Sequence, residues 1–241
     1  KPINKLKPFM SFSLSNDQEA IKDSVKKICD RFPLQYWRDQ DKTGEFPEDF
    51  VKAITDGGWL GIAMPEEYGG AGLGIMEAAV LAHTISNSGA GFSGASAVHL
   101  NLFGPHPIVV FGTEEQKKRF LPPLIKGEDR ACFAVTEPDS GLNTMALKTE
   151  AVRDGDNYII NGRKLWTTTA QTANKILLIT RTSAADSGAP PGKSLTLFYT
   201  DLNRDRIEVR EIEKMGRGAV DSNSLFIDDL VVPVTDRIGE E

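Results

Sequence analysis

The sequence predicts an α+β protein in which an all-helical N-terminal domain precedes a domain of antiparallel strands, arranged as a barrel or a sandwich. Apolar residues recur at helical spacing in the first half of the chain. In the second half, short runs alternate between apolar and polar residues. Turn dipeptides such as Asp154-Gly155 separate these runs. The two predicted domains cover residues 1–128 and 129–241.

The bulk composition is that of an ordinary globular protein. The chain has 241 residues, of which 40% are hydrophobic and 26% are charged. A net charge of −6 and the lack of a long basic cluster argue against a nucleic-acid partner. No apolar run reaches membrane-spanning length and no signal-peptide core is visible, so we expect a soluble intracellular protein. Cys29, Cys132 and three scattered histidines match no metal-site spacing, so we expect no metal.

Helices in the N-terminal half are predicted from start signals followed by apolar residues at helical spacing. Pro33 is predicted to end the first helix, because proline lacks the N–H group that the helix needs. Pro122-Pro123 is expected to curtail or kink the last helix. The predicted starts are a capping box at Ser15 and Gln18, Pro47 at a first helical position, residue 75, the short apolar helix 108–111, and a second capping box at Thr113 and Gln116.

Strands in the C-terminal half are predicted from period-two alternation bounded by turn signals. Asp154-Gly155 and Asn161-Gly162 are expected to form two-residue hairpin turns, because both dipeptides tolerate the positive φ angles that such turns require. Short strands at this spacing are typical of barrels and sandwiches. The predicted strands are 130–136, 148–153, 158–160, 164–169, 175–182, 195–200, 207–212 and 224–232.

Two segments rich in small residues bear on ligand binding. The glycine-rich stretch 65–74 lacks the spacing of a dinucleotide-binding or P-loop motif, and we interpret it as a structural loop. The segment 89–102 is rich in Gly, Ala and Ser, which permit close backbone approach to another helix or to a ligand tail. For His83 and His99 a structural role is favoured, because the sequence shows no partner for either.

Trp166 is a residue whose role the residue pattern leaves open. It lies in a β-rich run, LWTTT, that also carries Thr167 and Thr168. One interpretation is a buried core tryptophan. The other is an aromatic wall beside a flat ring system, with the hydroxyl groups of Thr136 and Thr168 reaching heteroatoms of the ring. No serine or cysteine nucleophile motif competes with this second interpretation.

Several sequence blocks occur in an order that is similar to that of one enzyme family. Two of them, Phe133–Gly141 (FAVTEPDSG) and Ile160–Thr168 (INGRKLWTT), lie in the predicted β domain. Three more are Pro65–Gly70 (PEEYGG), Gly112–Lys118 (GTEEQKK) and the segment from 214 to 233. Together these blocks, which lie between about residue 14 and residue 241, resemble the acyl-CoA dehydrogenase family.

The resemblance implies that the β domain binds FAD. It implies that Thr136 places its hydroxyl group near the reactive flavin nitrogen. Backbone N–H groups of the turn 138–141 would approach the ring or the pyrophosphate, where small residues permit a close contact. The implied cofactor-binding residues are Phe133, Val135, Thr136, Gly141, Leu142, Trp166, Thr167 and Thr168.

The activity that the resemblance implies is α,β-dehydrogenation of an acyl-CoA thioester. A carboxylate removes the α-proton while a hydride passes from the β-carbon to the flavin. An electron-transferring flavoprotein would accept the electrons, and the chain would form a tetramer or a dimer in the bacterial cytoplasm or the mitochondrial matrix. The acyl tail would lie along the helical domain, with His99 and Phe103 bounding its pocket and Leu142 on the substrate side.

Three departures from the family pattern bear on these implications. Leu142 stands where the family commonly has a serine that helps to hold the substrate, and Arg217 comes one position early. The chain stops at Glu241, before the C-terminal helical bundle that ordinarily supplies the catalytic carboxylate. We therefore expect a truncated chain that is inactive by itself and whose catalytic base is unknown. Two alternatives stay open: a flavin-dependent oxidase or monooxygenase of the same fold, and a non-catalytic relative that binds flavin or acyl-CoA.

Overall fold

A computed structural model describes residues 13–183 and 191–240, in which seven α-helices precede eight β-strands. The helices are α1 (Asn16–Cys29), α2 (Leu34–Thr43), α3 (Glu48–Asp56), α4 (Ile75–Ser86), α5 (Gly91–Leu102), α6 (His106–Phe111) and α7 (Glu114–Ile125). The strands are β1 (Ala131–Ala134), β2 (Glu150–Asp154), β3 (Asn157–Thr168), β4 (Lys175–Arg181), β5 (Leu195–Asp201), β6 (Ile207–Glu211), β7 (Ser222–Pro233) and β8 (Arg237–Ile238). The predicted succession of a helical and a β architecture is confirmed.

The strands form one mixed sheet in the order β6-β7-β3-β2-β4-β5-β8, with β1 paired to β4. Most neighbours are antiparallel, as predicted, but β1 lies parallel to β4, and β2 meets β4 in one parallel pair. The expectation of a purely antiparallel sheet is therefore wrong in this place. The connection from β1 to β4 contains the β2–β3 hairpin, and a long connection of this kind is what a parallel pair requires.

Both predicted capping boxes form. The Ser15 hydroxyl accepts a hydrogen bond from the Gln18 N–H at 3.2 Å, and the Gln18 side chain accepts one from the Ser15 N–H at 3.1 Å. Thr113 and Gln116 make the same reciprocal pair at the start of α7. The sequence predicts that Pro122-Pro123 curtails or kinks this helix, and the first alternative is wrong, since α7 continues to Ile125. Both prolines lie in its last turn, and each lacks the N–H group that would bond the carbonyl four residues earlier, so the helix ends shortly after them.

Helix α2 has no counterpart among the sequence predictions. It is mostly polar, and Trp37 is its one buried residue, so it offers little apolar periodicity to detect. Trp37 packs its ring edge-to-face against Phe50 of α3, with ring centroids 4.9 Å apart. The half-buried Tyr36 adds a second contact, with its ring centroid 5.1 Å from that of Phe32, so the helix is held by two adjacent aromatic residues rather than by an apolar stripe.

The predicted turn at Asn161-Gly162 is a bulge inside the single long strand β3, so the prediction of two separate strands is wrong. The pairing of β3 with β7 shifts register between Ile160 and Gly162. The Asn161 side chain accepts a hydrogen bond from the Asp229 N–H at 2.8 Å, which satisfies the opposite strand at the irregularity. By contrast, the predicted turn at Asp154-Gly155 does join β2 to β3.

The helical layer and the sheet are joined by shared packing and by one buried amide. Val220, in the connection from β6 to β7, is fully buried within the core of the helical layer. The buried Asn101 of α5 donates a hydrogen bond to the Asp129 carbonyl at 2.9 Å and accepts one from the Ala131 N–H at 3.1 Å. These contacts fix α5 relative to the beginning of β1, and hence to the segment that follows β1.

Candidate functional site

The two sequence runs singled out above lie side by side in the fold. The Leu165 N–H donates a hydrogen bond to the Thr136 carbonyl at 2.8 Å. The Lys164 ammonium group donates to the Val135 carbonyl at 3.1 Å. The segment that leaves β1 is therefore attached to the end of β3, although the two are far apart in the sequence.

A buried ion pair lies beneath this junction. The Lys164 ammonium group and a Glu137 carboxylate oxygen are 2.9 Å apart, and both side chains are almost fully excluded from solvent. The carboxylate also accepts hydrogen bonds from the N–H groups of Lys148 at 2.6 Å and Thr149 at 2.9 Å. Because a buried charge is costly unless it is paired and hydrogen-bonded, these contacts are what make the arrangement tolerable.

The surroundings of the pair shift the pKa values of both groups. Burial acts to raise the pKa of the Glu137 carboxyl group, but hydrogen bonds from Thr149, Lys164 and Lys148 outweigh it and hold that pKa below its usual range. For Lys164, burial lowers the pKa of the ammonium group, and its bond to Glu137 opposes that effect. Glu137 is therefore ionised at neutral pH, and its charge stabilises the cation beside it.

The turn that follows Glu137 presents backbone to solvent. Glu137 and Ser140 exchange two backbone hydrogen bonds, at 3.0 and 3.1 Å, and the Ser140 hydroxyl donates to the Asn143 carbonyl at 2.6 Å. A Cβ atom added to Gly141 would meet no atom within 4 Å, and the Leu142 side chain is fully exposed. Nothing in the described chain requires glycine at position 141, which is consistent with a cradle for a ligand.

Trp166 is not part of the core. Its side chain is 55% exposed, and its backbone has φ = +61°, a left-handed conformation that bulky residues rarely adopt. Thr169, three residues later, also has a positive φ of +62°. Such strain persists only where the surrounding structure enforces it, and it concentrates at functional sites. The strained segment 166–169 is therefore a candidate ligand contact.

The predicted cofactor-binding threonines occupy two kinds of environment. Thr136 and Thr168 are half-buried, and within the described residues their hydroxyl groups have no hydrogen-bond partner. Thr167 is buried, and its hydroxyl oxygen also lacks a partner there. Phe133 and Val135 are half-buried and line the same segment. The hydroxyl groups of Thr136 and Thr168 are thus available to a ligand at the surface.

His99 and Phe103, the predicted substrate-side residues, are half-buried on or just after α5. His99 Nδ1 donates a hydrogen bond to the Ser96 carbonyl at 3.0 Å, so this nitrogen carries a proton. Burial lowers the pKa of the imidazole, and the nearby Arg217 lowers it further, although the bond to Ser96 opposes both effects. His99 is therefore a neutral side chain at neutral pH.

Arg217 connects this helix to the strand that carries Trp166. Its guanidinium group donates to the hydroxyl groups of Ser96 at 3.1 Å and Ser222 at 2.8 Å. Ser222 is the residue of β7 that pairs with Thr168 of β3. The predicted flavin-side and substrate-side residues are thereby brought to one junction.

Sequence reasoning missed Glu137, Lys164 and the position of Arg217 in this junction. A lysine inside a strand is usually interpreted as a solvated residue. Only the hydrogen bonds between the segment after β1 and the end of β3 reveal its acidic partner. One signal was available, because Glu137 and Lys164 both stand within the blocks FAVTEPDSG and INGRKLWTT. The early position of Arg217 is visible in the sequence, but its hydrogen bond to Ser96 of α5 is not.

Residues 13–183 and 191–240 form neither a metal-binding cluster nor a membrane-spanning helix. No group of three or more His, Cys, Asp or Glu side chains could hold a metal ion. No helix is both long enough and apolar enough to cross a membrane. The residues around Trp166 instead fit a flat organic ligand with polar ring atoms, because they combine an exposed aromatic ring, accessible hydroxyl groups and an open glycine turn.

Comparison with known domains places this architecture in one family. Residues 15–128 match the acyl-CoA dehydrogenase N-terminal domain, and residues 132–230 match the acyl-CoA dehydrogenase middle domain. The chain belongs to the acyl-CoA dehydrogenase family, as its sequence blocks predicted.

Individual relatives agree with this assignment. The chain is 34% identical over 205 residues to a 3-(aryl)acrylate reductase of Clostridium sporogenes, covering 83% of this chain and 52% of that protein. It is 30% identical over 244 residues to a probable acyl-CoA dehydrogenase of Bacillus subtilis, YngJ, covering 96% and 60%. An acyl-CoA dehydrogenase structure from Geobacillus kaustophilus superposes with a TM-score of 0.86 at 29% identity, again covering 96% and 60%. The chain thus spans about half to three fifths of the length of these relatives.

Proposed function

We propose that this chain forms the flavin-holding and acyl-holding part of an enzyme that dehydrogenates an acyl-CoA thioester between its α- and β-carbons. The observation that carries the proposal is the strained, exposed Trp166 beside the accessible hydroxyl groups of Thr136 and Thr168. Membership of the acyl-CoA dehydrogenase family supports the reaction class.

FAD is the proposed cofactor, and when bound it supplies the electron acceptor for the β-hydride. Trp166 and Leu142 would cover the faces or edges of the ring. Thr136 and Thr168 would hold its polar atoms by hydrogen bonds, with Phe133, Val135 and Thr167 completing the contact. Gly141 would let the backbone approach closely, because a side chain there would fill the open space.

The substrate side of the proposed site is the face of α5 that carries His99 and Phe103. A neutral imidazole and an aromatic ring form a wall that is compatible with an apolar acyl chain. Leu142 adds an apolar side chain where a serine is common in the family. We assign no catalytic base among the described residues, and by resemblance that carboxylate belongs to a helical bundle C-terminal to the two matched domains.

Further elements of the proposal rest on the family resemblance. Electrons would pass to an electron-transferring flavoprotein, and the protein would work as a homotetramer or homodimer in the bacterial cytoplasm or the mitochondrial matrix. The domain boundary is proposed at 128/129, between α7 and β1. The electron acceptor, the oligomeric state and the location are supported by similarity to relatives, so each is to be measured on this protein.

The test is anaerobic addition of acyl-CoA thioesters to the full-length polypeptide purified with its flavin. Bleaching of the visible flavin band, followed by slow return of colour in air, is the expected result. Rapid return of colour in air would support the flavin-dependent oxidase instead. A colourless protein that takes up no FAD would rule out both flavoenzyme functions and leave a non-catalytic acyl-CoA-binding relative.

A second candidate is the reverse reaction, reduction of an α,β-unsaturated acid or thioester. The similarity to a 3-(aryl)acrylate reductase favours it. Chemically reduced protein, mixed anaerobically with an aryl acrylate or its CoA thioester, would regain its flavin colour if this function holds. Reoxidation by the unsaturated compound without bleaching by any saturated acyl-CoA would favour the reductase over the dehydrogenase.

A further inference from the structure

Arg217 is a half-buried cation that has no acidic partner in the described part of the chain. Its two hydrogen bonds go to neutral hydroxyl groups, those of Ser96 and Ser222. The carboxylate of Asp221 acts on it only from beyond ion-pair distance. That carboxylate already accepts hydrogen bonds from the Gln171 N–H and the Asn223 side-chain amide.

The N–H donors of the Arg217 guanidinium group are therefore only partly used in hydrogen bonds to the described residues. A guanidinium group carries five N–H donors in a planar fork that matches a carboxylate. Burial lowers the pKa of Arg217, because removing a cation from water disfavours its charged form. An anionic acceptor would offset that cost better than two hydroxyl groups, because hydrogen bonds between charged partners are the stronger ones.

The backbone at Arg217 is held in an unfavourable conformation. Its φ is +54°, within the left-handed region, and the Val220 N–H closes the turn on the Arg217 carbonyl at 3.2 Å. The neighbouring Gly218 N–H is bound by the Asp41 side chain of α2. The loop is thus fixed on both sides of Arg217, whose guanidinium group lies against Ser96 of α5, and such strain concentrates at functional sites.

Apart from the more distant carboxylate of Asp221, the groups around Arg217 are neutral. His99 lies one turn after Ser96 on α5 and is neutral at neutral pH. The exposed ring of Phe92 lies 6.0 Å from the guanidinium carbon. Through Ser222 and Thr168, the cation also lies beside the strand end that carries Trp166. It therefore stands between the proposed acyl-binding face and the proposed flavin-binding strand.

The geometry points to a subsite for an anionic group on the substrate, in which Arg217 binds a carboxylate at the far end of the acyl chain and Ser96 and Ser222 orient the guanidinium group. This inference rests on the proposed function, and it names a substrate class, the CoA monothioesters of dicarboxylic acids. The same chemistry would recognise a phosphate of CoA or of FAD, so the experiment separates these sources.

The test measures equilibrium binding of 3-thia acyl-CoA analogues to the flavin-loaded, full-length polypeptide by calorimetry. Sulfur in place of the β-carbon removes the transferable hydride, so binding is observed without turnover. The analogues of glutaryl-CoA and adipyl-CoA are each compared with a counterpart in which an isopropyl group replaces the carboxylate. The variants are Arg217→Gln, Arg217→Lys and, as a matched loss of charge on the exposed β6 strand, Arg210→Gln.

The expected result is that the native protein prefers one carboxylate analogue over its counterpart by about tenfold or more, as for a hydrogen-bonded charge pair. Arg217→Gln should abolish the preference and leave binding of the isopropyl analogue within about twofold. Arg217→Lys should keep part of the preference, because the charge remains but the planar fork does not. Arg210→Gln should change neither value.

Equal binding of both analogues to the native protein would overturn the subsite while leaving the proposed function intact. An equal loss for both analogues in Arg217→Gln, matched by weaker binding of free CoA, would assign the cation to a phosphate of CoA and overturn it as well. Loss of the flavin absorption in that variant would point to a phosphate of FAD with the same consequence. Failure of every acyl-CoA analogue to bind would overturn the proposed function together with the subsite.

Discussion

The buried pair Glu137–Lys164 and the strained segment 166–168, in which Trp166 is exposed, are neighbours in the fold, yet their environments differ. The pair is shielded from solvent and hydrogen-bonded on several sides. The segment presents a half-exposed tryptophan in a strained conformation and hydroxyl groups without protein partners. The first contributes to stability, and the second is the proposed ligand contact. A rigid support beneath a strained surface is what a preorganised binding site requires.

The largest expected effect comes from breaking the support. Glu137→Gln would leave the Lys164 ammonium group buried without a counter-charge, and the free energy of unfolding should fall by about 3–5 kcal/mol. Denaturant titration of the purified protein measures this loss. Asp56→Asn is the matched control, because its pair with Lys52 is solvent-exposed and should contribute less than about 1 kcal/mol. Equal losses in both variants would mean that the buried pair contributes no more than a surface one.

The same pair predicts how stability depends on pH. Because the folded-state pKa of Glu137 is lowered, its contribution is fully present above the unfolded-state value of about 4.3 and is lost as pH falls through the folded-state value. Stability measured from pH 6 towards about pH 3 should therefore fall more steeply in the native protein than in Glu137→Gln. Parallel pH profiles for the two proteins would contradict the assigned shift.

The next effect concerns the helical side of the junction. Asn101 fixes α5 to the beginning of β1 through both atoms of its amide group. Asn101→Ala leaves the Asp129 carbonyl and the Ala131 N–H without that partner, and it should cost about 2–3 kcal/mol. Asn87→Ala, at an exposed position after α4, is the control and should change stability by less than about 0.5 kcal/mol. A loss that matches the control would show that packing alone fixes the junction.

Removing the exposed Trp166 side chain should change the affinity for FAD rather than the free energy of unfolding. Trp166→Ala should weaken FAD binding by about 1–3 kcal/mol, the range for stacking of an aromatic side chain on a flat base. The free energy of unfolding should change by less than about 1 kcal/mol, because the ring is more than half exposed. Trp37→Ala is the reverse control, since this core tryptophan should cost about 3–5 kcal/mol and leave FAD affinity unchanged. Collapse of the fold in Trp166→Ala, with unaltered affinity in the surviving fraction, would make Trp166 a structural residue.

The sequence predicts local features of this fold better than long-range ones. The capping boxes at Ser15 and Thr113 form as predicted, because the residues that make each one are three apart and need no tertiary context. The turn predicted at Asn161-Gly162 is wrong, because the choice between a turn and a bulge depends on Asp229 of the partner strand. Helix α2 escapes prediction because one buried tryptophan creates no periodic pattern.

The candidate site divides in the same way. Thr136 and Trp166 stand in recognisable sequence blocks, so their proximity could be inferred from family resemblance. The ion pair of Glu137 with Lys164 depends on the contact between the segment after β1 and the end of β3, which no local spacing encodes. The contact of Arg217 with Ser96 joins residues from the two halves of the chain and became visible only in three dimensions.

The smallest expected effect on stability concerns two buried tyrosines of the sheet, one whose hydroxyl group has a hydrogen-bond partner and one whose hydroxyl group has none in the described chain. Tyr199 and Tyr158 are both fully buried and pack edge-to-face, on Phe120 and Phe198 respectively, with ring centroids 4.8 and 4.9 Å apart. The Tyr199 hydroxyl has no protein partner in the described chain, and burial raises the pKa of this phenol well above its usual range. The Tyr158 hydroxyl accepts a hydrogen bond from Arg237 at 3.1 Å.

Tyr199→Phe keeps the ring and removes a buried polar atom that gains nothing from the fold, so stability should stay unchanged or rise by up to about 1 kcal/mol. Tyr158→Phe is the matched control and should lose about 1 kcal/mol, because Arg237 then loses an acceptor. Paired denaturation curves measure both changes. A loss of similar size in Tyr199→Phe would place an ordered water molecule on its hydroxyl group. In that case the group is satisfied by solvent, and the buried side-chain oxygens left without a protein partner in the described chain are Gln40 Oε1 of α2 and Thr167 Oγ1.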